Sequence, residues 1–139
     1  MAVASADLER LKQFAGQSAR AVLVTRRKNG DLQSSPMAVV ADEQGNILTA
    51  TRAKNAKTFN LSRDPRATLC LFNDRWPGPW LHVDGEAEIE RLPEAMPLLA
   101  DYYRRRGQDT STDAFRERML NENRVLIRIK TQRVVGSST

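Results

Sequence analysis

The chain is poor in the residues that build disulfides and metal centres. Its 139 residues include one cysteine, Cys70, and one histidine, His82. A single cysteine excludes an intramolecular disulfide and any multi-cysteine metal site, and a single histidine argues against a histidine-rich zinc site. No apolar run approaches the roughly 20 residues that span a bilayer. The first fourteen residues carry scattered charges and no continuous apolar stretch, so they do not read as a signal peptide. No repeat and no low-complexity stretch breaks the chain. What is present is ordinary for one globular domain: 40% hydrophobic and 28% charged residues. Positive charge is in excess, 22 Lys and Arg against 17 Asp and Glu, a net of +5. That excess points to an anionic partner without naming it. The expectation is a reduced, cytoplasmic, single-domain protein spanning 1–139, with a core over about 8–135 and loose ends at 1–6 and 136–139.

Hydrophobic periodicity predicts the elements. Leu8, Leu11 and Phe14 share one stripe of a helix over 7–14. Residues 21–25 and 32–41 read as two strands joined at Asn29-Gly30, the strongest short hairpin signal. Pro36 lacks a backbone donor, so it predicts a bulge, a kink or a barrel rim in the second strand. Residues 47–51 form a third strand. A basic helix over 54–63 stops at Asp64-Pro65. Residues 66–72 are an apolar strand in which Cys70 reads as a buried thiol. From Trp80 to Ile89 the pattern alternates. It puts Leu81, Val83, Gly85, Ala87 and Ile89 on a core face and Trp80, His82, Asp84, Glu86 and Glu88 on the other. Helices follow at about 95–106 and 111–120, then a strand over 125–131. The reading is a mostly β (α+β) domain of six to seven antiparallel strands with about three flanking helices. Strands at this spacing commonly close into a small barrel. The core of so short a chain is thin, which makes a dimer a reasonable expectation.

The charge is unevenly spread. Residues 51–66 hold five cations, Arg52, Lys54, Lys57, Arg63 and Arg66, against one acid, Asp64. Thr51 and Thr58 add hydroxyl donors. A strand end leading into a helix N-terminus presents unpaired N–H groups and partial positive charge. With Arg52 at the strand end and Lys54 and Lys57 three apart on the helix, the junction suits a phosphate or a set of carboxylates. The same run also reads as a solvated helix face.

The string from Ala56 through Lys57, Thr58, Asn60, Leu61, Arg63, Asp64, Pro65 and Arg66 to Ala67, directly after a strand, resembles the hallmark of pyridoxamine 5′-phosphate oxidase-like proteins. More narrowly, it resembles the flavin/deazaflavin oxidoreductases that use coenzyme F420. Val22 to Thr25, Ser35-Pro36-Met37, Trp80 to Ala87 and Arg128 to Val135 match in the same order. The resemblance implies a split β-barrel homodimer with two cofactor sites at the subunit interface. It implies that Arg52, Lys54 and Lys57 face the cofactor phosphate or an acidic tail, and that Thr49, Ala50 and Thr51 border the cofactor. It places Ser35, Pro36 and Met37 beside the tricyclic ring, where Pro36 either lets the strand bulge toward a ligand or is a plain edge-strand proline. Related sequences often carry arginine where this chain has Asn55. The implied cofactor is coenzyme F420, with flavin mononucleotide (FMN) as the alternative.

Reduced deazaflavin delivers a hydride and the ring carries that chemistry. This accounts for the lack of a visible triad, carboxylate pair or metal motif, and no catalytic residue is assigned. The implied activity is hydride transfer to a small acceptor of enone, lactone, quinone or tetrapyrrole type. Rival readings are an FMN-dependent oxidase acting on a B6 phosphate and a non-catalytic carrier of coenzyme F420. Nucleic-acid binding has no zinc or aromatic-basic motif behind it. The extra cations of Arg26-Arg27-Lys28 and Arg104-Arg105-Arg106 suit an oligoglutamate tail or plain solvent. Trp80, and less so Trp76, is a candidate to cover the cofactor or to pack an interface. His82 reads as structural or surface, and one of Tyr102 and Tyr103 as core.

Overall fold

The structure is a computed structural model that describes residues 3–16 and 18–137. Ten elements follow one another: α1 (Ser5–Ala15), β1 (Ala19–Arg26), β2 (Leu32–Ala41), β3 (Ile47–Arg52), α2 (Ala56–Arg63), β4 (Arg66–Phe72), β5 (Trp80–Glu90), α3 (Met96–Arg105), α4 (Asp113–Glu122) and β6 (Arg124–Ser137). All strand pairs are antiparallel, and they close a barrel in the order β1-β2-β3-β6-β5-β4. The expected class holds, with six strands and one helix more than the three anticipated.

Local chemistry explains the joints. The β1–β2 hairpin turns at Gly30, whose φ of +90° suits glycine, and Asn29 closes it by accepting from the Asp31 N–H. Residues along β4 and β5 alternate, so Leu69, Leu71, Leu81 and Val83 fill the barrel. Leu11 and Ala15 of α1 pack into the same cluster. Cys70 corrects the expectation of a buried thiol. It lies between inward Leu69 and Leu71 and is exposed, opposite Val22 and His82 on neighbouring strands. Gly85 sits where the β5–β6 register shifts. A Cβ there would come within 2.3 Å of the Lys130 carbonyl oxygen, so the two backbones meet closely only because the side chain is absent.

A second core lies outside the barrel. Val40, Leu48, Ala50 and Leu126 point outward and are covered by Leu99, Tyr102 and Tyr103 of α3 and by Phe115 and Met119 of α4. This explains why β3 does not alternate: both of its faces are buried. The C-terminal strand runs further than residues 125–131. Gly136 and Ser137, expected as part of a loose end, pair with Leu81 and Trp80. At the other expected loose end, 1–6, Ser5 and Ala6 belong to α1; residues 1, 2, 138 and 139 lie outside the described residues.

One seam of the barrel is open. β2 pairs with β1 from Leu32 to Val39 but with β3 only at Val40 and Ala41. β3 pairs with β6 along its whole length. The edge of β2 before Val40 and the edge of β3 after Leu48 therefore diverge without a ladder between them. Pro36 lies on that edge. Its register opposite Val22 is continuous, so of the alternatives the sequence left open it is the edge-strand proline and not the bulge toward a ligand.

Candidate functional site

Two clefts open along this seam. The first, about 280 Å³, is lined by Pro36, Met37 and Ala38 of β2, Thr49, Ala50 and Thr51 of β3, Lys57, Tyr102, Tyr103, Arg106, Arg118 and Arg124. The second, also about 280 Å³, is lined by Thr25, Gln33, Ser35, Asn55, Ala56 and Lys57. Lys57 belongs to both. Each cleft alone is just under the ~300–1,000 Å³ usual for pockets that enclose a drug-sized ligand.

The seam is held apart by hydrogen bonds. The Ala38 carbonyl accepts from Thr49 Oγ1 at 2.9 Å and from the Tyr102 hydroxyl at 2.7 Å. Burial pushes the Tyr102 hydroxyl above its ordinary pKa, so it stays a donor at neutral pH. Side chains thereby satisfy a carbonyl that a β2–β3 ladder would otherwise use. α2 is fixed beside the seam by Asn60, which is 5% exposed. Its amide donates to Thr25 Oγ1 and to Gln33 Oε1, both at 3.1 Å, and its carbonyl accepts from Arg63 at 3.0 Å. Thr58 Oγ1 donates to the Arg52 carbonyl at 2.9 Å, and Asn55 donates to Thr51 Oγ1 at 2.7 Å. These bonds aim the first turn of α2, and with it Lys57, along the open seam.

The electrostatics are one-sided. Arg52, Arg118 and Arg124 all approach the carboxylate of Glu122, at 3.6, 3.3 and 3.1 Å. The Arg124 hydrogen bond holds the Glu122 carboxyl below its ordinary pKa, so this acid is ionised at neutral pH. Lys57 and Arg106 have no carboxylate partner among the described residues. Burial, and then repulsion from Arg124, push the Lys57 ammonium below its ordinary pKa. The Nε of Arg124 is buried without a hydrogen-bond partner. Three arginines share the one carboxylate, and Lys57 and Arg106 add two cations without one, so the seam carries an excess of positive charge of the kind that attracts an anion.

The fold brings together Ser35, Pro36, Met37, Thr49, Ala50, Thr51 and Lys57 of the residues singled out in the sequence. It leaves others apart. Arg52 lines neither cleft; its guanidinium pairs with Glu122. Lys54 is exposed in the turn before α2, which starts at Ala56, so it does not share a helix face with Lys57. Trp80 lines a separate apolar pocket of about 320 Å³ with Cys70, Phe72, Arg75, Trp76 and Pro77–Pro79. Trp76 is 85% and Trp80 46% exposed. His82 lies on the outer barrel face, its Nε2 2.9 Å from Asp84 Oδ2. Asn60, Tyr102, Tyr103, Arg118 and Arg124 were not found as site residues. Asn60 stands in the hallmark string, which gave it no role of its own; the other four carry only a helical spacing or a strand start, and all reach the seam through tertiary packing. Among the described residues no cluster of metal-ligating side chains occurs, and no helix is long and apolar enough to cross a membrane.

The family model described as pyridoxamine 5′-phosphate oxidase matches residues 8–137. The chain belongs to this family. Structures similar to this pyridoxamine 5′-phosphate oxidase family member include a conserved hypothetical protein from Mycobacterium tuberculosis. That match has 26% identity and a TM-score of 0.74, covering 99% of this chain and 86% of the other. A protein described as an F420 reductase is 19% identical with a TM-score of 0.66, covering 89% of this chain and 94% of that one. A heme binding protein from Mycobacterium smegmatis is 18% identical with a TM-score of 0.72, covering 99% of this chain and 56% of that one. Family membership agrees with the split seam, and the neighbours share the barrel while differing in what they are described as doing.

Proposed function

We propose that this protein is a coenzyme F420-dependent oxidoreductase that passes a hydride from reduced deazaflavin to a small organic acceptor of enone, lactone, quinone or tetrapyrrole type. The observation that carries the reading is the cation-rich seam. Lys57 and Arg124 suit one phosphate, and Arg106 and Arg118 on the same cleft exceed what a phosphate needs. An oligoglutamate tail supplies the matching negative charge. Bound deazaflavin would supply the hydride chemistry itself. The protein's share is to hold, orient and keep dry. Ser35, Pro36 and Met37 offer an open strand edge to the polar rim of the ring, and Thr49, Ala50 and Thr51 border it from β3. Lys57 and Arg124 hold the phosphate, while Arg52 and Lys54 strengthen the positive field at longer range. We place this enzyme in the cytoplasm.

The site is completed by a second copy. Each cleft is small for a whole cofactor, and apolar side chains stand uncovered, with Trp76, Phe59 and Leu32 at 85, 61 and 59% exposure. Trp80 of one subunit then packs at the interface or covers the cofactor of the other.

The test is side-by-side titration of the pure protein with coenzyme F420 and FMN. Tighter binding of coenzyme F420 supports the reading. A protein that purifies yellow and binds FMN far more tightly is instead an FMN-dependent oxidase or reductase. Reoxidation of reduced coenzyme F420 against a panel of acceptors then separates an enzyme from a non-catalytic carrier.

A further inference from the structure

One acid serves three arginines behind the seam. Glu122 closes α4, and Asn123 after it reverses the chain with a φ of +47°. The Asn123 carbonyl accepts from the Ala53 N–H at 2.9 Å, which pins this turn to the end of β3. Both carboxylate oxygens of Glu122 are engaged. Oε1 faces Arg124 at 3.1 Å and Arg52 at 3.6 Å, and Oε2 faces Arg118 at 3.3 Å. Arg52 and Arg124 are direct partners in the β3–β6 register. Like charges opposite one another on neighbouring strands repel, and Glu122 offsets that repulsion.

Among the described residues, no acid lines either cleft. Arg118 and Arg124 line the first one, whereas Glu122 and Arg52 do not. Glu122 therefore leaves the cleft open and acts from behind it. It draws on the same two arginines that a ligand's anion would use. Replacing it by neutral glutamine has two opposed effects. The positive charge acting on the cleft rises by one unit, and the arginines lose part of their tether. The tether is the smaller loss. A glutamine oxygen can still accept from Arg124, whose side chain is only 18% exposed. Arg118 keeps its place against the Tyr103 ring, 5.2 Å from its centre. That ring is held in turn, edge to face, by Tyr102 at 4.8 Å and Phe115 at 5.6 Å.

We propose that Glu122 is a positioning residue that acts as a built-in competitor for the ligand's anion, a role that rests on the deazaflavin reading above only for the identity of that anion. Without ligand, its carboxylate holds Arg118 and Arg124 in place. With ligand bound, it keeps drawing on both guanidiniums, weakens their grip and speeds the anion's departure. On the deazaflavin reading the oxidised cofactor has to leave before a reduced molecule can enter. A seam of unshared cations would slow that exchange.

The test compares the whole wild-type protein with Glu122→Gln. Glu94→Gln is the control, since it removes one exposed acid that lines neither cleft. Inorganic pyrophosphate is titrated by calorimetry at fixed salt, and urea unfolding is followed without ligand. Glu122→Gln should bind pyrophosphate at least about five-fold more tightly, yet be less stable when free, and Glu94→Gln should bind within about two-fold of wild type. A merely structural glutamate would give lost stability with equal or weaker binding, and that result overturns the proposal. So does an equal gain in Glu94→Gln, or pyrophosphate that binds neither wild type nor Glu122→Gln. Where Glu122→Gln does not fold alone, it is compared in an Arg52→Gln background, which lacks the cross-strand repulsion, and the same gain is expected there. Coenzyme F420, followed by stopped flow, should leave Glu122→Gln at least about five-fold more slowly than wild type, and an equal or faster departure overturns the role in release. Pyrophosphate carries no deazaflavin ring, so failure of the coenzyme F420 titration leaves the pyrophosphate result standing. A failed pyrophosphate comparison likewise leaves the cofactor reading standing.

Discussion

Replacing Lys57 with glutamine should move stability and affinity in different directions. In the free protein the Lys57 ammonium has no carboxylate partner, is partly desolvated and is repelled by Arg124. Removing its charge takes away a cost and no favourable contact. The unfolding free energy should therefore change by less than about 0.5 kcal/mol, or rise. With an anion in the seam the ammonium gains charge-assisted hydrogen bonds, typically about 1.5–3 kcal/mol. At about 1.4 kcal/mol per ten-fold, Lys57→Gln should weaken cofactor binding roughly 10- to 150-fold. Urea unfolding of the free protein and fluorescence titration with coenzyme F420, in one buffer at fixed salt, measure both quantities. A structural lysine would give the opposite pair, lost stability with unchanged affinity. That result would refute the claim that Lys57 is held for a ligand.

Asn60→Ala removes three side-chain hydrogen bonds that tie α2 to β1, β2 and its own last turn. At about 1 kcal/mol net each, it should cost about 2–3 kcal/mol in urea unfolding, and a loss under 1 kcal/mol would show that α2 is held otherwise. Gly85→Ala forces a Cβ to within 2.3 Å of the Lys130 oxygen. It should destabilise by about 1–3 kcal/mol, whereas wild-type unfolding would mean that the β5–β6 approach is loose. Asp64 has its carboxyl lowered from 3.8 to about 2, chiefly by the Arg66 hydrogen bond. Its contribution to stability is present above the unfolded value and fades as pH falls through about 2. Asp64→Asn should thus be less stable than wild type at pH 5, with the gap closing toward pH 2, and a gap that stays constant with pH would exclude the ion pair as the cause.

The strands were legible where one face is buried and the other wet. The alternation from Trp80 to Ile89 marked the inner residues, and Asn29-Gly30 marked its hairpin. Cys70 was misread because an apolar strand does not say which of its faces is inside; only the register with β1 and β5 decides that. β3 gave no alternation because α3 and α4 cover its outer face, a tertiary fact absent from a six-residue window. The site divided along the same line. Ser35–Met37, Thr49–Thr51 and Lys57 lie on contiguous stretches with a recognisable pattern, and the fold gathers them at the seam. Arg106 stood in a run of three arginines that composition treats as equal. The difference comes from Asp101 and Glu43, which neutralise its neighbours, and from two tyrosine rings that hold it. Arg118 and Arg124 share a carboxylate with Arg52 across 72 residues of chain, at Glu122. No local pattern announces such a meeting.

The central claim is that the unzipped β2–β3 seam is the cofactor site. A crystal structure of the protein with coenzyme F420 tests it most directly. The deazaflavin ring should lie against Pro36–Ala38 and Thr49–Thr51, with its phosphate on Lys57 and Arg124. A ring seated instead in the apolar pocket between Cys70 and Trp80, with the seam filled by solvent, would contradict it.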